Sequence, residues 1–164
     1  MNGRRSATDP GGREPLLGQD ALGDAPARLE AILGPRLVVD GWATVELDRA
    51  EEEVGMALAA LGPAEVSTVP DARVLGARCR LLRFGQARSV ILLEPSTEGR
   101  LAAGLARHGE GFLARYLITD AGATERARRD RFALTSEGRG PFGRERLVIV
   151  GPRSGPFLVV TGLD

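Results

Sequence analysis

Two stretches of the chain spell the same order of elements, and that duplication restricts the fold more than any single motif. The first begins at Leu37. "LVVDGWATVEL" has the pattern of a strand, and "DRAEEEVGMALAALGP" carries Ala50, Val54, Leu58 and Leu61 at the spacing of one helical face. Asp48 and Glu51 have the spacing of an N-cap and its N3 partner, and Gly62-Pro63 ends the helix. Three strand-like segments follow, "AEVSTV", "ARCRLLRF" and "SVILLEP", with a hairpin-type turn at Gly85-Gln86. Beyond "RLAAGLARHGEG" the order returns. "FLARYLIT" predicts a strand, "DAGATERARRD" a polar helix, and "RFALTS", "ERLVIVG" and "PFLVVTG" three more strands. A repeat of topology without an evident repeat of sequence predicts an α+β domain of tandem βαβββ modules. It is a poor match to a dinucleotide-binding sheet, where strands and helices alternate strictly and a glycine fingerprint opens the first helix.

The boundaries follow. Module one spans 37–97, a linker helix 98–110 and module two 111–164. Residues 24–36 predict a short N-terminal helix, with Asp24 as cap, Pro26 in its first turn and Gly34 as its stop. Residues 1–23 are rich in Gly, Pro and Arg, have little periodicity and predict a flexible arm.

Composition removes several classes of function. The 22 basic residues balance 22 acidic ones, so no net field favours nucleic acid or an anionic membrane. Every basic residue is arginine, which rules out a Schiff-base lysine, a lysine general base and a P-loop lysine. The basic run from Arg126 to Arg131 has no interleaved aromatics and predicts a solvated helix surface. One cysteine, Cys79, excludes an intramolecular disulfide. The first 20 residues lack the apolar core of a secretory signal, and no apolar run approaches the roughly 20 residues of a membrane span. These features predict a cytoplasmic protein.

Three stretches carry a resemblance. "VILLEP" followed by "LAAGLARHGEG" is similar to a strand end, linker helix and Gly-Glu-Gly entry in the vicinal oxygen chelate superfamily, nearest its methylmalonyl-CoA epimerase-like branch. "GRGPFGRERLVIVGPRSGPFLVV" resembles that branch's late hairpin, with Pro152-Arg153-Ser154-Gly155 at the turn before the last strand. "GWATVELDRAEE" sits where the first strand and helix begin. The resemblance covers roughly Leu37 to Asp164 and implies a glyoxalase-like fold, a cupped mixed sheet. It also implies a divalent metal held by four side chains, with open positions for substrate oxygens. The matching positions are Gly41 or, shifted by one residue, Asp40; Ile91; Leu113 or Ala114; and a place near Val159 or Thr161. Only Asp40 among them can bind a metal, so neither metal nor cofactor is predicted.

The resulting expectation is a metal-independent glyoxalase-like protein that binds a small organic molecule in its cup, lined by Trp42, Thr44, Ile91, Leu113 and Thr161. Catalysis is left open: a lone acid or base, Asp40 or Glu94, would serve an isomerase, lyase or cyclase. A conventional metal-dependent epimerase or glyoxalase requires a different ligand register; a third reading is a purely structural or interaction module, such as a homodimer joined through edge strands, and a homodimer is the expected assembly. If Asp40 takes the ligand phase, Trp42 and Thr44 share the cavity; shifted by one, Trp42 packs under the first helix. His108 is expected as a helix-end residue and Cys79 as a small buried hydrophobe. Arg78 and Arg80 share a face of one strand and Arg83 takes the opposite one, and a solvated outer face is expected for them rather than a ligand's carboxylate or phosphate.

Overall fold

The computed structural model describes residues 13–162. After α1 (Ala25–Leu33), module one runs β1 (Leu37–Ala43), α2 (Leu47–Ala57), β2 (Glu65–Thr68), β3 (Ala77–Phe84) and β4 (Arg88–Pro95). The linker is α3 (Arg100–His108), and module two runs β5 (Gly111–Thr119), α4 (Ala123–Arg129), β6 (Gly138–Gly140), β7 (Gly143–Val148) and β8 (Phe157–Gly162). The strands form one curled sheet in the order β2-β3-β4-β1-β5-β8-β7-β6. Within each module the first strand lies parallel to the last, β1 with β4 and β5 with β8, and the two modules join where β1 and β5 run antiparallel. The architecture is the α+β cup of tandem βαβββ units.

Side-chain alternation sorts the core by face. α2 covers the convex side of module one through Ala50 and Val54, which pack on Leu82, Phe84, Val90 and Leu92. α1 and α4 cover the convex side of module two, packing Leu29, Leu33 and Ala127 with Leu117, Leu158 and Val160. The concave side carries the largest cluster, including Val39, Leu81, Ile91, Leu93, Tyr116, Phe157 and Val159, with Leu75 and Leu101 closing over it. Gly104 lets α3 approach this face, since a Cβ there would stand 2.7 Å from Leu113 Cδ2 and 3.1 Å from Phe157 Cε2.

Four local expectations need correction. Residues 13–23 are not a free arm: Leu16 and Leu22 are buried against α1 and module two, and the Leu17 amide donates to the Phe112 carbonyl at 2.7 Å. Residues 1–12 of that expected arm lie outside the described residues. The first turn of α2 is not capped by Asp48: the helix starts at Leu47, whose amide donates to Glu94 Oε2 at 2.9 Å. Asp48 and Glu51 instead hold Arg80 of β3, at 2.8 and 2.5 Å. α2 stops at Ala57 and tightens into a 3-10 turn over Ala59–Leu61 before Gly62, whose φ of 102° suits only glycine. The strand expected from "RFALTS" does not form. The edge strand is instead β6, Gly138–Gly140, and Leu134 makes only an isolated bridge to Val148.

Candidate functional site in the cup of module two

Strand register lays the concave face out in rows. One row runs Leu81, Ile91, Gly41, Ala114, Phe157; the next runs Val39, Tyr116, Val159, Leu147; the third runs Ile118, Thr161, Glu145, Gly138. A bulge at Gly41/Trp42, opposite Leu113, brings Leu113 into the same concave cluster. Ile91, Leu113 and Thr161 therefore meet on the concave face, each essentially without solvent exposure.

Asp40, Trp42 and Glu94 do not join them. Gly41, not Asp40, occupies the concave phase of β1, and Asp40 turns outward to accept from Arg115 Nε at 2.8 Å. That carboxylate and guanidinium are buried together, with Arg88 a further 3.7 Å from Asp40 Oδ2, so Asp40 ties β1 to β5 from outside. The expectation of Asp40 as an acid or base in the cup is corrected on this geometry. Trp42 follows Asp40 to the convex side. It packs with the α2 cluster and meets Phe112 edge-on at 5.1 Å, so its place is under the helix rather than against a ligand. Glu94 also faces outward, where it caps α2 with one oxygen and pairs with Arg78 through the other. Thr44 lies at the end of β1, where its hydroxyl donates to Glu110 Oε1 at 2.8 Å.

Glu110 closes the seam between the modules. Besides Thr44 it accepts from the Val45 amide at 2.8 Å and from Arg49 Nη2 at 2.6 Å. The Arg49 hydrogen bond, then the Val45 amide, hold its carboxyl down to about 2. His108 ends α3 as expected, with Gly18 of the N-terminal segment pressed against its ring.

The resembled metal positions carry few side-chain donors. Gly41, Ile91, Leu113, Ala114 and Val159 offer no donor, and the Thr161 hydroxyl is spent on the Phe142 carbonyl at 3.2 Å. Nor is there room for a longer residue in β1: a Cβ on Gly41 would stand 2.9 Å from Leu93 Cδ1 and 3.0 Å from the Ala114 Cβ. Among the described residues, no three His, Cys, Asp or Glu side chains are grouped so as to hold an ion.

Polar chemistry on the concave face is concentrated instead at Glu145, Tyr116 and Cys79. Glu145 is 1% exposed; its Oε1 receives only a long contact from the Val74 amide at 3.5 Å, and its Oε2 has no partner. Burial pushes its carboxyl up to about 8, so it is protonated at neutral pH. Space for it is made by Gly140, where any Cβ would overlap the carboxylate. The Tyr116 hydroxyl is equally unpartnered; burial first, and then Glu145 and Cys79, raise its pKa well above the ordinary value. The Cys79 thiol is pushed up to about 12, chiefly by burial, which leaves it unreactive as a nucleophile.

The nearest opening is a polar recess of about 710 Å³ bordered by Arg73, Val74, Arg100, Gly138, Arg139 and Arg144, among others. Val74 and Gly138 belong both to its wall and to the surroundings of Glu145. Glu145 and Tyr116 were not signalled as site residues by any motif. The available signal was parity: in "GRERLV" Glu145 shares the inward phase with Leu147, and a charged residue in an apolar phase is the pattern to mark.

This row pattern and sheet order define a class by fold: the chain has a glyoxalase-like fold. The solved structures that share it include the methylmalonyl-CoA epimerase of Mycobacterium tuberculosis, 20% identical over 81% of this chain and 90% of that one, with a TM-score of 0.65. The Streptomyces coelicolor methylmalonyl-CoA epimerase in complex with 2-nitronate-propionyl-CoA is 23% identical over 75% and 92%, with a TM-score of 0.56. A hypothetical protein from Bacillus halodurans is 16% identical over 77% and 92%, with a TM-score of 0.58. No protein-family model matches the chain, and no curated protein sequence matches it. No helix among the described residues is long and apolar enough to cross a membrane.

Proposed function

We propose that this chain is a metal-independent glyoxalase-like protein that binds a small organic molecule at its cup, admitted through the recess beside β6. The observation that carries this reading is the replacement of every metal-ligand position by Gly41, Ile91, Leu113 or Ala114, and Val159 or Thr161, in a sheet that otherwise keeps the fold. Those positions supply no free side-chain ligand for a cation, and the opening beside them is the recess walled by Arg73, Val74, Arg100 and Arg139. The recess, at about 710 Å³, lies within the usual range of small-molecule sites, roughly 300–1,000 Å³. Reaction through a lone Asp40 or Glu94 is disfavoured, because both carboxylates are engaged on the convex side.

Thermal melting against a panel of small aromatic acids, aliphatic acids and acyl-CoA thioesters, with and without EDTA, tests the reading. A ligand raises the melting temperature by mass action, and the expected shift survives EDTA. A shift abolished by EDTA, or a stoichiometric divalent ion in the purified protein, overturns metal independence. A panel without any shift overturns small-molecule binding.

A further inference from the structure

The recess beside β6 concentrates positive charge that its own surroundings do not neutralise. Four arginines border it, Arg73, Arg100, Arg139 and Arg144, against a single acidic residue, Glu137. The chain as a whole is balanced, with 22 basic and 22 acidic residues, so this excess is local. Glu137 is already engaged by Arg144 and Arg146, at 3.4 and 3.2 Å. Among the described residues neither Arg73 nor Arg139 has an acidic partner, and Arg100 donates only to the Val74 carbonyl at 3.2 Å. By contrast, Arg49, Arg80 and Arg115 each meet a carboxylate at hydrogen-bonding distance. Like charges brought together repel, and an anion seated among them relieves that repulsion.

Main-chain bonds fix where these side chains start. The Arg73 amide donates to the Arg139 carbonyl at 2.9 Å, which sets the two residues side by side. The segment carrying Arg73 is closed on itself by the Ala72–Ala77 bridge, and the Leu101 amide pins it to the start of α3 by donating to the Leu75 carbonyl at 3.1 Å. Arg100 opens that helix. The three guanidiniums therefore converge without a ligand, and binding has only side-chain ends to order. Hydroxyls lie on the same rim. Thr135 donates its own to the Ser136 carbonyl and receives the Leu147 amide, whereas the Ser136 hydroxyl has no partner among the described residues. No aromatic side chain borders the recess, so nothing there stacks on a nucleobase or another ring.

From this convergence we propose that the recess binds the doubly charged head group of a small aliphatic phosphate monoester, held by Arg73, Arg100 and Arg139 with the Ser136 hydroxyl as a further donor. The proposal rests on the small-molecule reading above and adds the ligand's chemical class and the groups that select it. A carboxylate brings one charge and two oxygens, which a single guanidinium fork satisfies. A phosphate monoester brings a charge of about −1.5 to −2 and three terminal oxygens, enough to engage several forks at once. A recess of about 710 Å³ also has room for an organic body beside the head group. Glu145 and Tyr116 are sealed behind the wall at Val74 and Gly138 and have no part in the contact.

Isothermal titration of the full chain with propyl phosphate, methyl propyl phosphate, butyrate and inorganic phosphate tests the assignment. It is run with EDTA, at constant ionic strength and about pH 7.5, above the second phosphate pKa of about 6. Propyl phosphate is expected to bind about ten-fold more tightly than butyrate or than methyl propyl phosphate, the diester that lacks one charge. It should also bind more tightly than inorganic phosphate; the reverse order overturns an organic occupant and leaves the recess to the free ion. Arg73→Gln/Arg139→Gln should weaken propyl phosphate by about ten-fold or more and remove its preference over the diester. Arg128→Gln/Arg129→Gln takes the same net charge from the exposed end of α4 and should change neither. Melting of each variant establishes that it folds, and a loosened fold would lower both esters alike rather than their ratio. Equal affinity for the two esters, or an equal loss in the two double variants, overturns the phosphate assignment. A shift from any compound of the melting panel then leaves the small-molecule reading standing, and only the absence of every shift overturns that reading.

Discussion

The two halves of the cup are built from the same strand order and differ in what they present. Module one shows the concave side Val39, Ala43, Ala77, Leu81, Ile91 and Leu93, together with the inert Cys79 thiol. Module two shows Tyr116, Glu145 and Thr161 alongside Leu147, Phe157 and Val159. A metal drawn from β1, β4, β5 and β8 would require donors from both halves. A hydrogen-bonding site requires only one. The concave face of module one is packed as core, and that of module two carries the buried polar groups.

The comparison is broken first at the seam that both halves share. Asp40 and Arg115 form a buried pair across β1 and β5, both at most 6% exposed at the side chain. Asp40→Ala takes the nearest carboxylate from a buried guanidinium, leaving it the Glu14 carbonyl at 2.9 Å and Glu30 at 3.8 Å, and is expected to cost roughly 3–4 kcal/mol in a denaturant melt. Asp40→Leu with Arg115→Met should recover most of that loss. If Asp40→Ala left stability unchanged and removed ligand binding instead, the outward placement of Asp40 would be wrong.

Glu145 tests the polar half alone. Its folded pKa is about 8, against about 4.5 when exposed, so between those values the folded chain keeps a proton that the unfolded chain releases. Stability from this group is therefore complete below about pH 4.5 and declines as pH rises to about 8, where it levels off. Glu145→Gln cannot ionise and should flatten that decline, gaining on the order of 3 kcal/mol over wild type at pH 8 and little at pH 4.5. Melting curves across pH 4.5 to 9 measure it. Parallel curves for the two proteins would mean that Glu145 is hydrated and that the halves do not differ in the way described.

The sequence carried the architecture because burial of strand faces and of helix stripes leaves a periodic trace, and both modules wrote it. It was less informative wherever a residue's partner lies far along the chain. The α2 cap is one case: Asp48 has the local spacing, but Glu94, on a strand further along the chain, makes the bond. β6 is another, since "GRG" has no strand propensity, and its Gly140 is explained by the Glu145 carboxyl that fills the room a side chain would take. The candidate site was half legible. Aliphatic residues at Ile91 and Leu113 could be counted against metal binding, but the phase of Asp40 turned on a one-residue register that only pairing with β4 and β5 fixes.

The smallest predicted effect concerns the one carboxylate whose surroundings are opposite to those of Glu145. Glu110 stands at the entry to module two and accepts from Thr44, Val45 and Arg49 of module one. Those donors hold its pKa at about 2, so its contribution is present above about pH 4.5 and is lost as pH falls toward 2, the reverse of Glu145. Its side chain is 30% exposed, and solvent screens the Arg49 pair, so Glu110→Gln should cost only about 1 kcal/mol at pH 7. The same substitution should cost less still at pH 2.5, where the wild-type group begins to take up its own proton. Because Thr44, Val45, Arg49 and Glu110 are not among the residues bordering the recess, affinity for a ligand found in the melting panel should be unchanged. A variant that lost ligand affinity while keeping its melt would mean that the seam and the cup of module two are coupled, and that the polar half does not act alone.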